Sequence, residues 1–551
     1  MSNLERYHNR GISDPRTFAD ELVYNPPPLV DDEMVSITPH DSTSVEVPPI
    51  LLPPTENEKH YLFVGGYYLP YSKAEGHTLL VGMTGSGKSK LTYPSIGHAC
   101  ATLSPGNGLV VIFDPKGDMY PLAHYFAKKQ GVPLYYFNVT DDRSCAWDIG
   151  QDAGNQLDVL QELISILIPL RNSHDPFWVQ GAQAVAFACA LSLTHTRGDN
   201  WGLHDLYNAC FTNPKALVDF LRLNPTNEPT IERILESDAG KTAAGIMMQL
   251  SVSLQAMRLA AAHQYHTPKR DWVSLRKVVA EGGIVVIGQK QTSRASTTPI
   301  MRAMFKRLSD LILDLPEYPH APTYLFIDEF AYLGRELPGI MDLLTFSRSK
   351  RCQVYLTVQN IDQLRERYGV HGAESIAANC EFKVLLRAGS VATAEWASQL
   401  AGQERDMQPS YSQNGGGFSQ SWSLVTRPRL LPDEFVNLPR ASPHHGLHYI
   451  FMSPYSGVVR THLAADFVSD LQPPQSKVAA RVEKPSYKFE LPRWNPNEVL
   501  SNTARQHTSR TEFVMQGADT VEEAIRGHVW DLFNRLSEEA IYEFFSFQEG
   551  S

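Results

Sequence analysis

A chain of 551 residues, 42% hydrophobic and only 20% charged, has material for two to four structural units and a large core, which excludes a low-complexity or disordered protein. A net charge of -11 and a pI near 6.0 exclude a broadly basic nucleic-acid-binding surface, so any DNA contact has to be local, as in a ring whose narrow channel is lined by a few Lys and Arg per subunit. No stretch approaches 18 consecutive apolar residues, the opening Met1-Ser2-Asn3-Leu4-Glu5-Arg6 lacks a secretory signal, and six cysteines without a C-x-x-C pair speak against a zinc cluster or a disulfide framework, so the expectation is a protein that neither spans a membrane nor is exported and that sits in a reducing cytoplasm.

Residues 1–60 are rich in proline and acid, with Pro26-Pro27-Pro28, Asp31-Asp32-Glu33 and Pro53-Pro54, and read as an extended arm or linker able to wrap a neighbour. From 61 to 155 strands alternate with helices. The apolar run Thr78-Leu79-Leu80-Val81 leads into Gly82-Met83-Thr84-Gly85-Ser86-Gly87-Lys88-Ser89, which satisfies G-x-x-x-x-G-K-S/T at each specified position. Glycines at 82, 85 and 87 let the backbone curl so that its N–H groups converge on one concavity, to which the following helix adds its positive end. Gly82, Thr84, Gly85, Ser86, Gly87, Lys88 and Ser89 are therefore the expected cradle for a nucleoside triphosphate, with Lys88 on the outer phosphates and Ser89 on a magnesium ion. A plain Gly/Ser surface turn is the competing reading of these eight residues taken alone. Leu109–Asp114 reads as a second strand, Pro121–Gln130 as a helix and 133–137 as a third strand; such alternation predicts a parallel sheet with ligands at the carboxyl ends of its strands.

Between 156 and 275 helical periodicity replaces the strand signal, in Leu157 to Ile168, Phe177 to Leu193 and Ala243 to Ala262, which predicts an all-α domain inserted into the sheet domain. The strand pattern resumes over 276–470, at Gly283–Gly288, 323–330, 352–357 and 382–386. Thr323-Tyr324-Leu325-Phe326-Ile327-Asp328-Glu329-Phe330 ends in two adjacent acids, which a buried strand does not normally carry without a cation. Beside an intact phosphate loop, Asp328 is the expected magnesium holder and Glu329 the residue that orients and polarises the attacking water. Ser410 to Ser423, with three glycines amid Ser, Gln and aromatics, reads as a mobile loop. In the C-terminal extension, 471–551, a Pro-rich stretch precedes an amphipathic helix between Thr520 and Phe547; residues 517–551 carry eight acids against two arginines, and this helix either docks on its own domain or serves a partner.

The order of these motifs resembles the coupling proteins of type IV secretion systems, the TraG/TraD-type ATPases of conjugation, over residues 60–465. Pro94 soon after the phosphate loop, Asp114-Pro115-Lys116-Gly117-Asp118, Asp175-Pro176-Phe177-Trp178, the strand 327–334, Val358-Gln359-Asn360-Ile361-Asp362-Gln363-Leu364 with Tyr368-Gly369, and Pro432-Asp433-Glu434-Phe435 with Leu438-Pro439 each resemble a family signature. The resemblance implies an α/β fold: a RecA-like P-loop NTPase domain with a mostly parallel sheet and an inserted all-α domain. It also implies ATP and Mg2+ as cofactors, a homo-hexameric ring at the cytoplasmic face of the bacterial inner membrane, and inner-membrane components of the secretion channel as partners. Gln359 would sense the γ-phosphate, and Lys116 would serve the nucleotide or the adjoining subunit.

Arg348 falls where the family has an arginine facing a neighbouring subunit and is a candidate trans-acting finger. The family's G-R-x-x-G pattern stands here as Ser347-Arg348-Ser349-Lys350-Arg351, and a solvated basic helix end is the competing reading of that cluster. Family members usually begin with transmembrane helices and this chain has none, so either it is a soluble part or it docks on a separate membrane protein through its arm. Three functions compete: transfer of relaxase-bound single-stranded DNA, adaptor-dependent recruitment of protein effectors with the C-terminal helix as the docking peptide, and a nucleotide-controlled platform that recruits cargo without translocating it.

Overall fold

Uninterrupted apolar runs such as Leu109-Val110-Val111-Ile112-Phe113 suit strands covered on both faces, and the computed structural model places them so. It describes residues 61–494 except 71–74, 155, 171–175, 237–239, 318–320, 335 and 415–416; the N-terminal arm and the helix expected between Thr520 and Phe547 lie outside the described residues. In chain order the strands are Tyr61–Val64 (β1), Tyr67–Pro70 (β2), Thr78–Val81 (β3), Leu109–Asp114 (β4), Leu134–Phe137 (β5), Ala146–Trp147 (β6), Trp272–Val273 (β7) and Gly283–Gly288 (β8). They continue with Thr323–Ile327 (β9), Cys352–Val358 (β10), Phe382–Leu385 (β11), Gln403–Asn414 (β12), Gly417–Pro428 (β13), Leu447–Ser453 (β14) and Gly457–Leu463 (β15).

Nine strands form one sheet in the order β15-β14-β11-β3-β10-β9-β4-β8-β5. From β11 to β5 every pairing is parallel; β14 and β15 add an antiparallel edge. The strand carrying Gln353 to Val358 is thus wedged between the strand that feeds the phosphate loop and the strand that ends in the two acids. Alternate residues of β4 serve opposite faces. Val110 and Ile112 pack with Ile96 and Phe126 in one core, while Phe113 meets Phe305 edge-on at 5.4 Å on the other. The register Leu356↔Ile327 and Leu356↔Leu79 brings the carboxyl ends of β3, β9 and β10 level.

The helix Lys88–Ala101 runs straight through Pro94. Proline has no N–H to give the carbonyl four residues back, and that carbonyl, Lys90 O, instead accepts from Gln472 Nε2 at 3.2 Å. The segment 410–423 is a correction to the expected loop: Gln403–Asn414 and Gly417–Pro428 pair antiparallel along their whole length, with Asn414 opposite Gly417. Its polar composition masked a two-stranded ribbon, and none of the side chains at 403–410 and 422–428 is fully buried.

The described chain forms two compact units, one of residues 61–152, 165–169 and 253–491, the other of 153–164, 170–252 and 492–494. The helix Arg258–His266, expected in the helical insertion, belongs to the sheet unit. Two of its side chains explain this: His263 Nε2 meets Cys145 O at 2.9 Å and Gln264 Nε2 donates to Trp147 O at 2.7 Å. In the helical unit, Pro176–Arg197 crosses Gly240–Leu254 closely because Gly181 makes room for Ile246 and Gly245 for the Trp178 ring. Pro176–Arg197 is long and apolar enough to cross a membrane, yet half of that apolar window is buried among its neighbours, as in a core helix.

Candidate nucleotide site

The loop between β3 and the helix Lys88–Ala101 leaves the sheet at its carboxyl edge. Gly87, at φ 101, caps the helix in the left-handed region, and a side chain there would also run into Leu447 Cδ1. Gly85, at φ 78, has open space around its α-carbon, so its requirement is backbone curvature alone. Lys88 Nζ donates to Gly82 O at 2.5 Å and to Met83 O at 3.4 Å, which holds the amine inside the loop. Burial, more than any other influence, lowers the pKa of Lys88, and Glu329 and Asp328 oppose it. Ser86 Oγ is buried without a hydrogen-bond partner, Thr84 faces outward, and Ser89 is half-buried at the start of the helix.

The acids at the end of β9 are fixed from three sides. Asp328 Oδ1 accepts from Thr357 Oγ1 at 2.9 Å and its Oδ2 pairs with Lys116 Nζ at 2.6 Å. Glu329 sits in the left-handed region at φ 53, a conformation costing a non-glycine residue about 1–2 kcal/mol. Its N–H donates to Thr357 Oγ1 at 2.8 Å, and its Oε2 accepts from Gln359 Nε2 at 3.0 Å. Its Oε1 is buried with no partner. Burial raises the Glu329 pKa, with Gln359 and Lys88 pulling the other way.

After β4, the backbone N–H groups of Lys116, Gly117 and Met119 converge on the Asp114 carboxylate at 3.2, 2.7 and 2.9 Å, and this turn aims Lys116 at Asp328. Burial first, and then Asp118, push Asp114 up to about 7. Tyr93, on the helix that follows the phosphate loop, donates to Asp118 at 3.0 Å and closes that side.

Lys88, Asp328, Glu329 and Gln359 therefore meet at one edge of the sheet. Arg348 is not with them. It lies on the turn Ser347–Lys350 that enters β10, at the amino ends of the strands, more than half exposed and 3.6 Å from Glu381. With about 3.3 Å per strand residue, the seven residues of β10 put it roughly 20 Å from its own phosphate loop.

Sequence reasoning missed Thr357. Its signal is the one threonine of the largely apolar β10, one position past the Leu356↔Ile327 pair and hence beside the acids.

The fit of this edge to a metal-bound polyphosphate rests on two orphaned buried oxygens, Ser86 Oγ and Glu329 Oε1, and on an amine held within a curled glycine backbone. Among the described residues no cluster of three His, Cys, Asp or Glu could hold a metal alone. One hydroxyl and one carboxylate suffice where a substrate's phosphates complete the shell of Mg2+.

A phosphate-loop strand, an acid-ending strand and a polar strand wedged between them, on a largely parallel sheet, define the RecA-like P-loop class of nucleotide-binding folds. Residues 61–452 match the family described as the type IV secretion-system coupling protein DNA-binding domain, and the chain belongs to that family. Among solved structures it is similar to the bacterial conjugative coupling protein TrwBdeltaN70 in its unbound monoclinic form, with a TM-score of 0.61 and 21% identity over 78% of this chain and 93% of that one. It is also similar to the plasmid coupling protein TrwB in complex with ADP and Mg2+ and to TrwB in complex with a non-hydrolysable ATP analogue, each with a TM-score of 0.59 and 21% identity over 77% of this chain and 92% of that one. A search of the curated proteins returned no match.

Proposed function

We propose that the chain is the ATP-hydrolysing motor of a type IV secretion system, recruiting relaxase-bound single-stranded DNA, protein or both to the channel and driving their transfer. The observation that carries this is the convergence of Lys88, Asp328, Glu329 and Gln359 at the carboxyl edge of β3, β9 and β10.

Ser89 and Asp328 would hold Mg2+, which supplies charge neutralisation on the phosphates of ATP. Lys88 exchanges Gly82 O for phosphate oxygens. Glu329, with Oε2 tethered to Gln359, has Oε1 free to orient and polarise the attacking water. Burial supports this role, because a carboxylate held above its usual pKa is a stronger base. Gln359 also links the catalytic acid to the helix Ile361–Asn379, since its backbone N–H donates to Gln363 Oε1 at 3.3 Å, a route by which the γ-phosphate would be sensed.

An arginine at the far end of the strands serves its own site poorly and a neighbour's well. The position of Arg348 thus supports a ring, most simply a homo-hexamer, in which it is a trans-acting finger. Family membership supports docking at the cytoplasmic face of the inner membrane beside channel components, and an adaptor on the C-terminal helix is the natural variant for protein cargo.

Measuring ATP binding and turnover by Lys88→Ala, with single-stranded DNA titrated at controlled salt, tests the motor. Loss of both is expected, with DNA stimulating the native chain; activity equal to the native chain's would end the proposal.

A further inference from the structure

On the same edge of the sheet unit, beyond β8, lies a cavity of about 340 Å³ lined by Thr140, Leu259, Ser293, Arg481, Lys484 and Phe489, among others. Its charges do not balance. Glu483 and Lys290 line the same cavity and pair with each other at 3.1 Å, while two nearby carboxylates are held by other cations, Asp141 by Arg143 at 2.7 Å and Asp142 by Lys488 at 2.6 Å. Arg481 and Lys484 have no carboxylate partner among the described residues. Lys484 is only 8% exposed, and its amine rests on neutral acceptors, Val139 O at 3.1 Å and the His263 ring. Arg481 gives one N–H to Gln289 O at 3.3 Å, while its buried Nε has no partner.

A buried amine on neutral acceptors beside a half-buried guanidinium leaves positive charge that Asp142 and Asp141 offset only in part, and such groups are ordinarily matched by an anion. Burial accordingly drives the Lys484 pKa down to about 8. Two further features fit a ligand. Thr140 and Ser293 line the cavity together with the cations, and Leu259 and Phe489 provide a half-buried apolar wall. A volume of this size matches a small-molecule site rather than a single ion.

We propose that this cavity is a second anion site, distinct from the phosphate loop, that takes a phosphate-bearing ligand of mononucleotide size, with its phosphate on Arg481 and Lys484 and its ring against Leu259 and Phe489. The site also touches the motor. The Arg481 guanidinium packs against Gly117, where it leaves no room for a side chain, and Gly117 follows the Lys116 that pairs with Asp328.

The test is calorimetric titration of the full chain carrying Lys88→Ala, with inorganic phosphate and adenosine monophosphate as probes, so that the phosphate loop does not contribute. Saturable binding at one site is expected, tighter for the nucleotide than for phosphate. Adding Arg481→Gln should weaken it about tenfold or more, as loss of a charged hydrogen bond does, and Arg481→Lys should recover part of it. Lys484→Gln, checked for an unchanged melting temperature, is the second probe of the same site. No binding of either compound at millimolar concentration, or binding that ignores Arg481→Gln and Lys484→Gln, overturns the site. Equal affinity for phosphate and nucleotide overturns the ring contact. Because the titration is made in the Lys88→Ala chain, its failure leaves the motor standing, and a failed motor would leave this site standing.

Discussion

Lys116 Nζ lies 2.6 Å from Asp328 Oδ2 across the adjacent ends of β4 and β9. Burial alone would lower the lysine's pKa, but Asp328 outweighs it and holds the amine above its usual range. Lys116 occupies an oxygen of the carboxylate proposed to hold magnesium, and the lysine side chain is 38% exposed. On the metal role proposed for Asp328, Lys116 is a built-in cation that magnesium would have to displace.

Removing that competitor should make the metal easier to bind. Lys116→Met is expected to lower the magnesium concentration for half-maximal ATP hydrolysis roughly two- to fivefold, the range of a partly exposed ion pair. A magnesium titration of turnover reads this, and an unchanged midpoint means the lysine does not compete.

Thr357 carries two hydrogen bonds at once, to the Asp328 carboxylate and from the Glu329 N–H, and is fully buried. Thr357→Val should leave both groups unpaired, destabilising the chain by about 1–3 kcal/mol and cutting turnover more than nucleotide affinity. Thr357→Ser should restore both. Urea unfolding combined with steady-state kinetics distinguishes this from simple loss of packing, which the serine variant would not repair.

His77, 4% exposed just before β3, accepts from Val354 N–H at 3.0 Å. Burial pulls its pKa from 6.5 to about 4, against the Leu344 carbonyl and with help from Arg348. Its folded pKa is depressed, so its contribution is present above pH 6.5 and lost as pH falls through about 4, a difference of roughly 3 kcal/mol. His98 and His263, also lowered, act in the same direction. Asp114, raised to about 7, acts oppositely, favouring the fold most below pH 4 and less as pH climbs through 7. Urea midpoints measured from pH 7 to pH 4 should therefore fall less steeply in His77→Gln and more steeply in Asp114→Asn. A native slope in both variants would refute these assignments.

The phosphate loop and the acid pair were legible because each is a contiguous string whose chemistry is local. The buried strands were legible because apolar runs of their length have few other uses. What lies across the sheet was not. Lys116 and Asp328 are 212 positions apart and meet only because β4 is placed beside β9, a choice of strand order that no local pattern encodes. Thr357 becomes a partner of both acids through the same placement of β10. The ribbon of β12 and β13 escaped notice because its polar composition reads as a loop, and Arg258–His266 was assigned to the helical insertion because its periodicity does not tell which core receives it.

The catalytic role proposed for the acid pair reduces to one comparison, the rate of phosphate release from bound ATP by the native chain and by Glu329→Gln at saturating magnesium. The substitution keeps the shape of the side chain and removes the base, so nucleotide should remain bound while release falls about 10²–10⁴-fold. Release at the native rate from Glu329→Gln would mean that the water is activated elsewhere and that the site built by β3, β9 and β10 is not the hydrolytic centre.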